Sequence, residues 1–128
     1  GDGNQTRSFS YIDDILEPLW NSAIYEKAKN QVVNLGGIHQ IKLNDAANIL
    51  LDITKTGEKV YLEERHEVKH AYSSYQKSID ILDFEMKTSL KEGLKKMWDW
   101  AKSQKNRTRK EWNNFELTNG IYSYWKKT

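Results

Sequence analysis

Short strand patterns alternate with longer helical patterns along this chain, and the alternation narrows the possible folds more than any other feature. Phe9 and Tyr11 alternate with serines over residues 7–12, which is typical of a short strand. Residues 31–35 form a second strand pattern that ends at two glycines, and residues 59–64 form a third. Strands this short between helices predict an α+β domain with a small sheet.

Apolar residues at helical spacing predict four helices. The first begins at Asp13 or Asp14, either of which can cap it. Its apolar residues share one face: Ile15, Leu16, Leu19, Trp20, Ala23 and Ile24. The other three helices are predicted over residues 44–57, 73–82 and 89–101. Ser89 and Glu92 have the spacing of a capping box, which fixes the start of the last helix.

Composition excludes several classes of site and partner. The 128 residues include no Cys, which excludes disulfides, thiolate metal sites and Cys nucleophiles and favours a cytoplasmic setting. The net charge of +2 argues against a dedicated nucleic-acid-binding protein, which usually has a clear basic excess. No apolar run approaches the length of a membrane span. The chain has room for one domain with a modest core.

The first fourteen residues carry the most specific motif. They read Gly-Asp-Gly-Asn-Gln-Thr-Arg-Ser-Phe-Ser-Tyr-Ile-Asp-Asp, which combines a glycine-rich loop, Gln-Thr-Arg, an aromatic strand and an Asp at a helix start. This motif resembles a segment of the extended short-chain dehydrogenase/reductase family, which includes nucleotide-sugar epimerases, decarboxylases and dehydratases. Other pieces follow in the family's order, so the resemblance covers roughly residues 1–103; they lie at residues 32–37, 65–69, 77–84, 90–94 and 98–101.

The resemblance implies the C-terminal, substrate-binding part of such an enzyme. The sequence contains no glycine-rich dinucleotide fingerprint, so we expect no cofactor and no catalytic residue in this chain. NAD(P) is then expected in a missing N-terminal Rossmann domain of the full-length enzyme. The expected partners are that domain and a nucleoside-diphosphate sugar. We expect the chain alone to be a monomer without catalytic activity, cut from a longer one, since it opens on a turn-forming cluster without Met.

The resemblance also implies which residues bind the substrate. Arg7 and Arg65 would clamp the diphosphate from two segments, because a guanidinium donates paired hydrogen bonds to phosphate oxygens. Gln5 would assist Arg7, and Glu67 would accept a hydrogen bond from a ribose hydroxyl. Relatives often carry Arg-Pro-Gly followed by an acidic residue at this point, whereas this chain has Arg65-His66-Glu67. Either one residue is deleted here or the Arg is displaced.

Two other patterns resemble a catalytic and a metal-binding motif, and we interpret both as non-functional. The family's catalytic Tyr-x-x-x-Lys spacing occurs twice, at residues 25–29 and 122–126, but both copies follow the substrate-loop motif and lie in the wrong part of the chain. His66 and His70 have a spacing that suits a metal on a helix, yet no third ligand is apparent in the sequence. We interpret them as surface residues and predict no metal site.

Residues 104–128 form a basic and aromatic tail, which is expected to dock on the domain or to be partly disordered. The basic run 102–110 and the nearby aromatic residues Trp112, Phe115 and Tyr122 support an alternative, a small nucleic-acid-binding module. A third hypothesis is an interaction domain that kept the fold and lost the chemistry.

Overall fold

The computed structural model describes residues 1–64 and 66–105 of the chain. The elements that it contains, in chain order, are β1 (Thr6–Ser8), α1 (Ile12–Ile24), β2 (Gln40–Lys42), α2 (Leu43–Thr54), β3 (His70–Ala71), α3 (Gln76–Leu82) and α4 (Leu90–Ser103). A single 3-10 turn, Glu26–Ala28, follows α1. Helices packed with one small sheet confirm the predicted α+β class.

The sheet has the strand order β2-β1-β3, so β1 is its middle strand. β1 pairs antiparallel with β2, where Arg7 lies opposite Ile41. It pairs parallel with β3, where Arg7 lies opposite Ala71. The backbone of Arg7 is therefore held from both sides.

Two of the three predicted strands are wrong. Residues 31–35 and 59–64 belong to no strand, and Val32 is 87% exposed. The strands that pair with β1 are instead Gln40–Lys42 and His70–Ala71, which have weaker strand patterns. Strand formation depends on finding a partner as much as on local propensity, because a lone strand leaves its backbone groups unpaired.

The predicted start of the last helix is confirmed. Ser89 is the N-cap of α4, and its Oγ accepts a hydrogen bond from the backbone N–H of Glu92 at 3.2 Å. The helix predicted over residues 44–57 begins at Leu43 and ends at Thr54, where Lys55 takes the left-handed conformation instead of Gly57 stopping the helix.

The predicted caps of α1 are wrong. Its N-cap is Tyr11, which makes no side-chain capping bond, and Asp13 and Asp14 lie in the first turn. The Asp14 carboxylate accepts hydrogen bonds from the backbone N–H and the hydroxyl of Thr88, both at 2.9 Å. Asp14 therefore connects α1 to the loop that leads into α4 and does not close its own helix.

The core of the described residues is small and partly polar. Leu82, the last residue of α3, and Phe84, two residues after it, are buried, as is Pro18 on α1. Asn21 on α1 donates from Nδ2 to the carbonyl of Leu82 at 3.0 Å, and both groups are buried. Since Asp14 and Asn21 point inward, α1 packs on the domain through its polar side.

None of the described helices is long and apolar enough to cross a membrane.

Candidate functional site

Arg7 extends from the middle strand of the sheet and makes two hydrogen bonds. One guanidinium N–H donates to the carbonyl of Thr6 at 2.8 Å, and another donates to Glu67 Oε2 at 3.0 Å. The Arg7 side chain is 26% exposed and that of Glu67 is 45% exposed. A guanidinium carries five N–H donors, so these contacts fix its position and leave donors for an anionic ligand.

A cleft of about 310 Å³ adjoins this ion pair. Its walls come from the first turn of the chain and from the segment around β3: Gly1, Asp2, Asn4, Gln5, Glu64, Glu67, Lys69 and His70. Gln5 and Glu67, both predicted as binding residues, line the cleft, and Arg7 is joined to it through Glu67. The fourth predicted residue, Arg65, lies outside the described residues.

Sequence analysis did not predict several residues of the cleft, and one of them, Lys69, could have been found. Lys69 lies two positions after Glu67 and directly before β3, and both residues line the cleft. Alternate residues of a strand-like sequence share a side, which is the signal that could have identified Lys69. His70 follows at the start of β3, and its Nδ1 lies 3.0 Å from the hydroxyl oxygen of Thr6. Thr6 also donates its backbone N–H to the Lys69 carbonyl at 2.8 Å, which fixes the segment against β1.

The charges around the cleft are mixed. Hydrogen bonds from the side chain and the backbone N–H of Asn4 lower the pKa of Asp2, so this carboxylate stays ionised at neutral pH. With Glu64 and Glu67 it gives three carboxylates, which face the cations of Lys69 and Arg7. The carboxylates repel an anionic ligand and Glu67 partly neutralises Arg7, so we expect weak affinity for the chain alone.

Comparison with known proteins gives several matches. A UDP-glucuronate 4-epimerase from Thermodesulfobacterium geofontis is 34% identical over 105 residues, which are 80% of this chain and 32% of that relative. The solved structure of an epimerase from Methanothermobacter thermautotrophicus has a TM-score of 0.75 at 28% identity, covering 80% of this chain and 31% of the other. UDP-glucuronic acid 4-epimerase from Bacillus cereus, solved with UDP-glucuronic acid and NAD, has a TM-score of 0.72 at 30% identity, covering 80% and 33%. No family model matches the chain.

The chain belongs to the extended short-chain dehydrogenase/reductase family. This confirms the resemblance carried by residues 1–14 and places the chain among relatives that include NAD-dependent nucleotide-sugar epimerases and decarboxylases. The chain spans about a third of the length of the relatives that it matches.

The surroundings of Tyr25 differ from those that a catalytic Tyr of this family would need. A hydrogen bond with the Asp83 carboxylate raises the pKa of the Tyr25 phenol, whereas proton transfer from a Tyr-Lys pair needs a lowered pKa. Lys27 donates to Asp83 Oδ1 at 2.9 Å, and its Nζ lies 5.1 Å from the centre of the Tyr25 ring. The second copy of the spacing, Tyr122 with Lys126, lies outside the described residues.

We expect Asp83→Asn to lower the pKa of Tyr25 towards the ordinary value of about 10. The bond to Asp83 favours the neutral phenol, so its contribution to stability is present below that ordinary value and is lost as the pH rises through the raised pKa. NMR of ring-labelled tyrosine, recorded from pH 8 to 12, measures the change. Asp80→Asn, one turn earlier, is the control, and an unchanged Tyr25 pKa in Asp83→Asn would contradict the assignment.

Described metal-ligating side chains do not converge in groups of three or more.

Proposed function

We propose that residues 1–103 are the C-terminal, substrate-binding domain of an NAD-dependent nucleotide-sugar epimerase or decarboxylase and that they bind the nucleoside diphosphate. The observation that carries the proposal is the position of Arg7, which is held at the centre of the sheet beside a cleft lined by Gln5 and Glu67. The Bacillus cereus relative, whose structure contains UDP-glucuronic acid and NAD, supports the substrate class.

Each binding residue has a distinct task in this proposal. Arg7, with Arg65 from the segment before β3, neutralises the diphosphate and orients it through paired hydrogen bonds. Gln5 supplies a further polar contact on the same segment, and Glu67 accepts a hydrogen bond from a ribose hydroxyl. Because these contacts lie away from the reacting sugar, their binding energy positions the sugar for chemistry elsewhere.

Hydride transfer itself requires a second domain. NAD, when bound, accepts a hydride from the sugar, which is the step that epimerases and decarboxylases of this family share. This sequence lacks a dinucleotide fingerprint, so the cofactor and the catalytic residues belong to the complementary part of the enzyme. The residues described here anchor the nucleotide and do not select between epimerisation and decarboxylation.

Arg7→Ala is expected to weaken the binding of UDP and UDP-sugars roughly tenfold, because one or two charge-assisted hydrogen bonds to phosphate are lost at a partly exposed site. An NMR titration of the chain measures this, with shifts expected around Gln5, Arg7 and Lys69. Lys91→Ala, which removes the same charge from the exposed surface of α4, is the control.

The titration also separates the proposal from its alternatives. If the Arg7→Ala variant bound UDP as tightly as the unmodified chain, the proposed role of Arg7 would be ruled out. A response to a single-stranded oligonucleotide but not to UDP would favour the nucleic-acid alternative. That alternative depends on the basic run, of which Lys102 lies 2.9 Å from Asp99 in an ion pair and most of the remainder lies outside the described residues.

Glu67→Gln is expected to tighten the binding of inorganic pyrophosphate roughly twofold to fivefold, since an exposed ion pair contributes up to about 1 kcal/mol and its loss releases Arg7. Glu64→Gln changes the charge of the cleft equally without touching Arg7, which makes it the matched control. Phosphorus NMR of pyrophosphate measures both variants. Equal effects of the two substitutions would show that only the net charge matters.

A further inference from the structure

The packing stripe of α4 extends beyond the part of the domain that covers it. Leu90 and Leu94, in the first two turns of the helix, belong to this stripe and are half-buried. Met97 and Ala101 continue the stripe at steps of three and four positions, yet both are exposed, Met97 by 51%. The last two turns of α4 therefore present apolar residues that no described part of the chain covers.

Trp100 lies beside this stripe and widens the exposed apolar surface. It is 59% exposed and follows Met97 by three positions, so the two side chains are neighbours on the surface of the helix. We name Met97, Trp100 and Ala101 the α4 patch. Keeping these side chains in water is unfavourable in proportion to their apolar area, so a contiguous patch of this kind usually marks a contact.

The chain that continues from α4 is close enough to cover the α4 patch. Residues 106–128 lie outside the described residues, and they begin within three residues of the end of α4. A helix rises about 1.5 Å per residue, so Met97 lies about 12 Å from Lys105 along the axis. The seven residues after Lys105, up to Trp112, span up to about 23 Å when extended. A segment tethered this closely meets the patch at a high effective concentration.

Two aromatic residues of this continuation have the character that the patch requires. Trp112 and Phe115 are the first aromatic residues after α4 and are three positions apart. Trp and Phe bury large apolar areas, and the sulfur of a Met such as Met97 makes favourable contacts with aromatic rings. The family resemblance covers roughly residues 1–103, so both aromatic residues lie beyond it.

The charges of the two parts are complementary. Glu111 and Glu116 flank the two aromatic residues and are the only acidic residues that follow α4 in the sequence. The end of α4 is basic: Lys102 lies 2.9 Å from Asp99 in an ion pair, and Lys105 makes no ion pair within the described residues. Exposed ion pairs add little free energy, so these charges set the position of the segment and the apolar contact supplies most of its affinity.

We propose that residues 111–116 fold back on α4 and that Trp112 and Phe115 cover the α4 patch. The first part of the tail is then an integral part of this domain and completes the packing that α4 leaves open. The inference is independent of the proposed function, since it uses neither the cleft nor Arg7. The competing occupants of the patch are a second copy of the chain and the later aromatic residues of the tail.

Oxidation of Met by hydrogen peroxide measures how well the patch is covered. The whole chain contains two Met residues, and Met86, which is half-buried and precedes α4, serves as the internal reference. In the double variant Trp112→Ala/Phe115→Ala we expect Met97 to oxidise roughly fivefold faster than in the unmodified chain, because oxidation requires access to the sulfur. Met86 should oxidise at the same rate in both chains, which shows that the domain remains folded.

A matched control and a second measurement accompany this experiment. Tyr124→Ala/Trp125→Ala removes two aromatic residues further along the tail and is expected to leave both oxidation rates unchanged. In NMR spectra of the unmodified chain, the Met97 methyl group should show nuclear Overhauser contacts with the ring of Phe115. The chain has three Phe residues, so Phe115→Leu identifies these signals. The NMR contacts decide the question if the double variant is not folded.

Any one of four results would overturn the inference. The first is the absence of a contact between Met97 and Phe115, and the second is equal oxidation of Met97 in the unmodified chain and the Trp112→Ala/Phe115→Ala variant. The third is faster oxidation in the Tyr124→Ala/Trp125→Ala control alone, which would make the later tail the occupant. The fourth is protection of Met97 that disappears on dilution, which would make a second copy of the chain the occupant.

Discussion

Asp14→Ala is expected to lower the free energy of unfolding by about 3 kcal/mol or more. The Asp14 carboxylate is buried and accepts two hydrogen bonds from Thr88, and bonds to a charged group contribute roughly 1.5–3 kcal/mol each. The substitution also leaves the backbone N–H and the hydroxyl of Thr88 buried without their acceptor. Urea unfolding followed by circular dichroism measures the change.

Asp13→Ala is the matched control for this experiment. Asp13 lies beside Asp14 in the first turn of α1 but is exposed, so it shares the favourable interaction with the helix dipole and lacks the bonds to Thr88. Its loss should cost roughly 0.3–1 kcal/mol. Asp14→Asn keeps one acceptor oxygen and should fall between the two. Similar losses for Asp13→Ala and Asp14→Ala would show that the contact with Thr88 contributes little.

The pairing of Asp14 with Thr88 is a contact that the sequence alone does not predict. An Asp before an apolar helical repeat predicts a cap, because capping is a local contact within a few residues. The observed partner is 74 positions away, and no local pattern encodes it. Ser89 illustrates the contrary case, since both members of its capping contact lie within one turn and the prediction is confirmed.

The orientation of α1 was unpredictable for a related reason. Periodicity identifies a face whose residues are apolar, but it does not say whether that face meets this domain or another. The prediction of a strand at residues 31–35 is wrong because a strand needs a neighbour, and these residues pair with none of the strands β1 to β3.

The residues of the candidate site could be predicted more readily from the sequence because they belong to two short motifs. Gln5 directly precedes the strand that contains Arg7, and Glu67, three residues before β3, forms an ion pair with Arg7. The family resemblance alone predicts all three residues as binding residues. It did not suggest the ion pair between Arg7 and Glu67, which depends on the pairing of β1 with β3, or the carboxylates that surround it.

The turn that ends at Gly37 lies close to the strand that carries Arg7, so a change there should affect both stability and binding. Gly37 is buried against the backbone of Phe9, and an added Cβ would clash with the Phe9 carbonyl oxygen and lie 2.7 Å from its carbonyl carbon. These are backbone atoms, so no side-chain rotation relieves the overlap. Phe9 lies two residues after Arg7, and moving it would shift β1.

Gly37→Ala is therefore expected to destabilise the domain by about 3 kcal/mol, at the upper end of the usual cost of overpacking. Gly36→Ala provides the matched control, because the nearest atom to its added Cβ is the Ser10 hydroxyl oxygen at 3.8 Å, an ordinary contact. Urea unfolding of both variants measures stability, and UDP titration measures the position of Arg7. If Gly37→Ala were as stable as Gly36→Ala and bound UDP equally well, the results would contradict a close approach between this turn and Phe9.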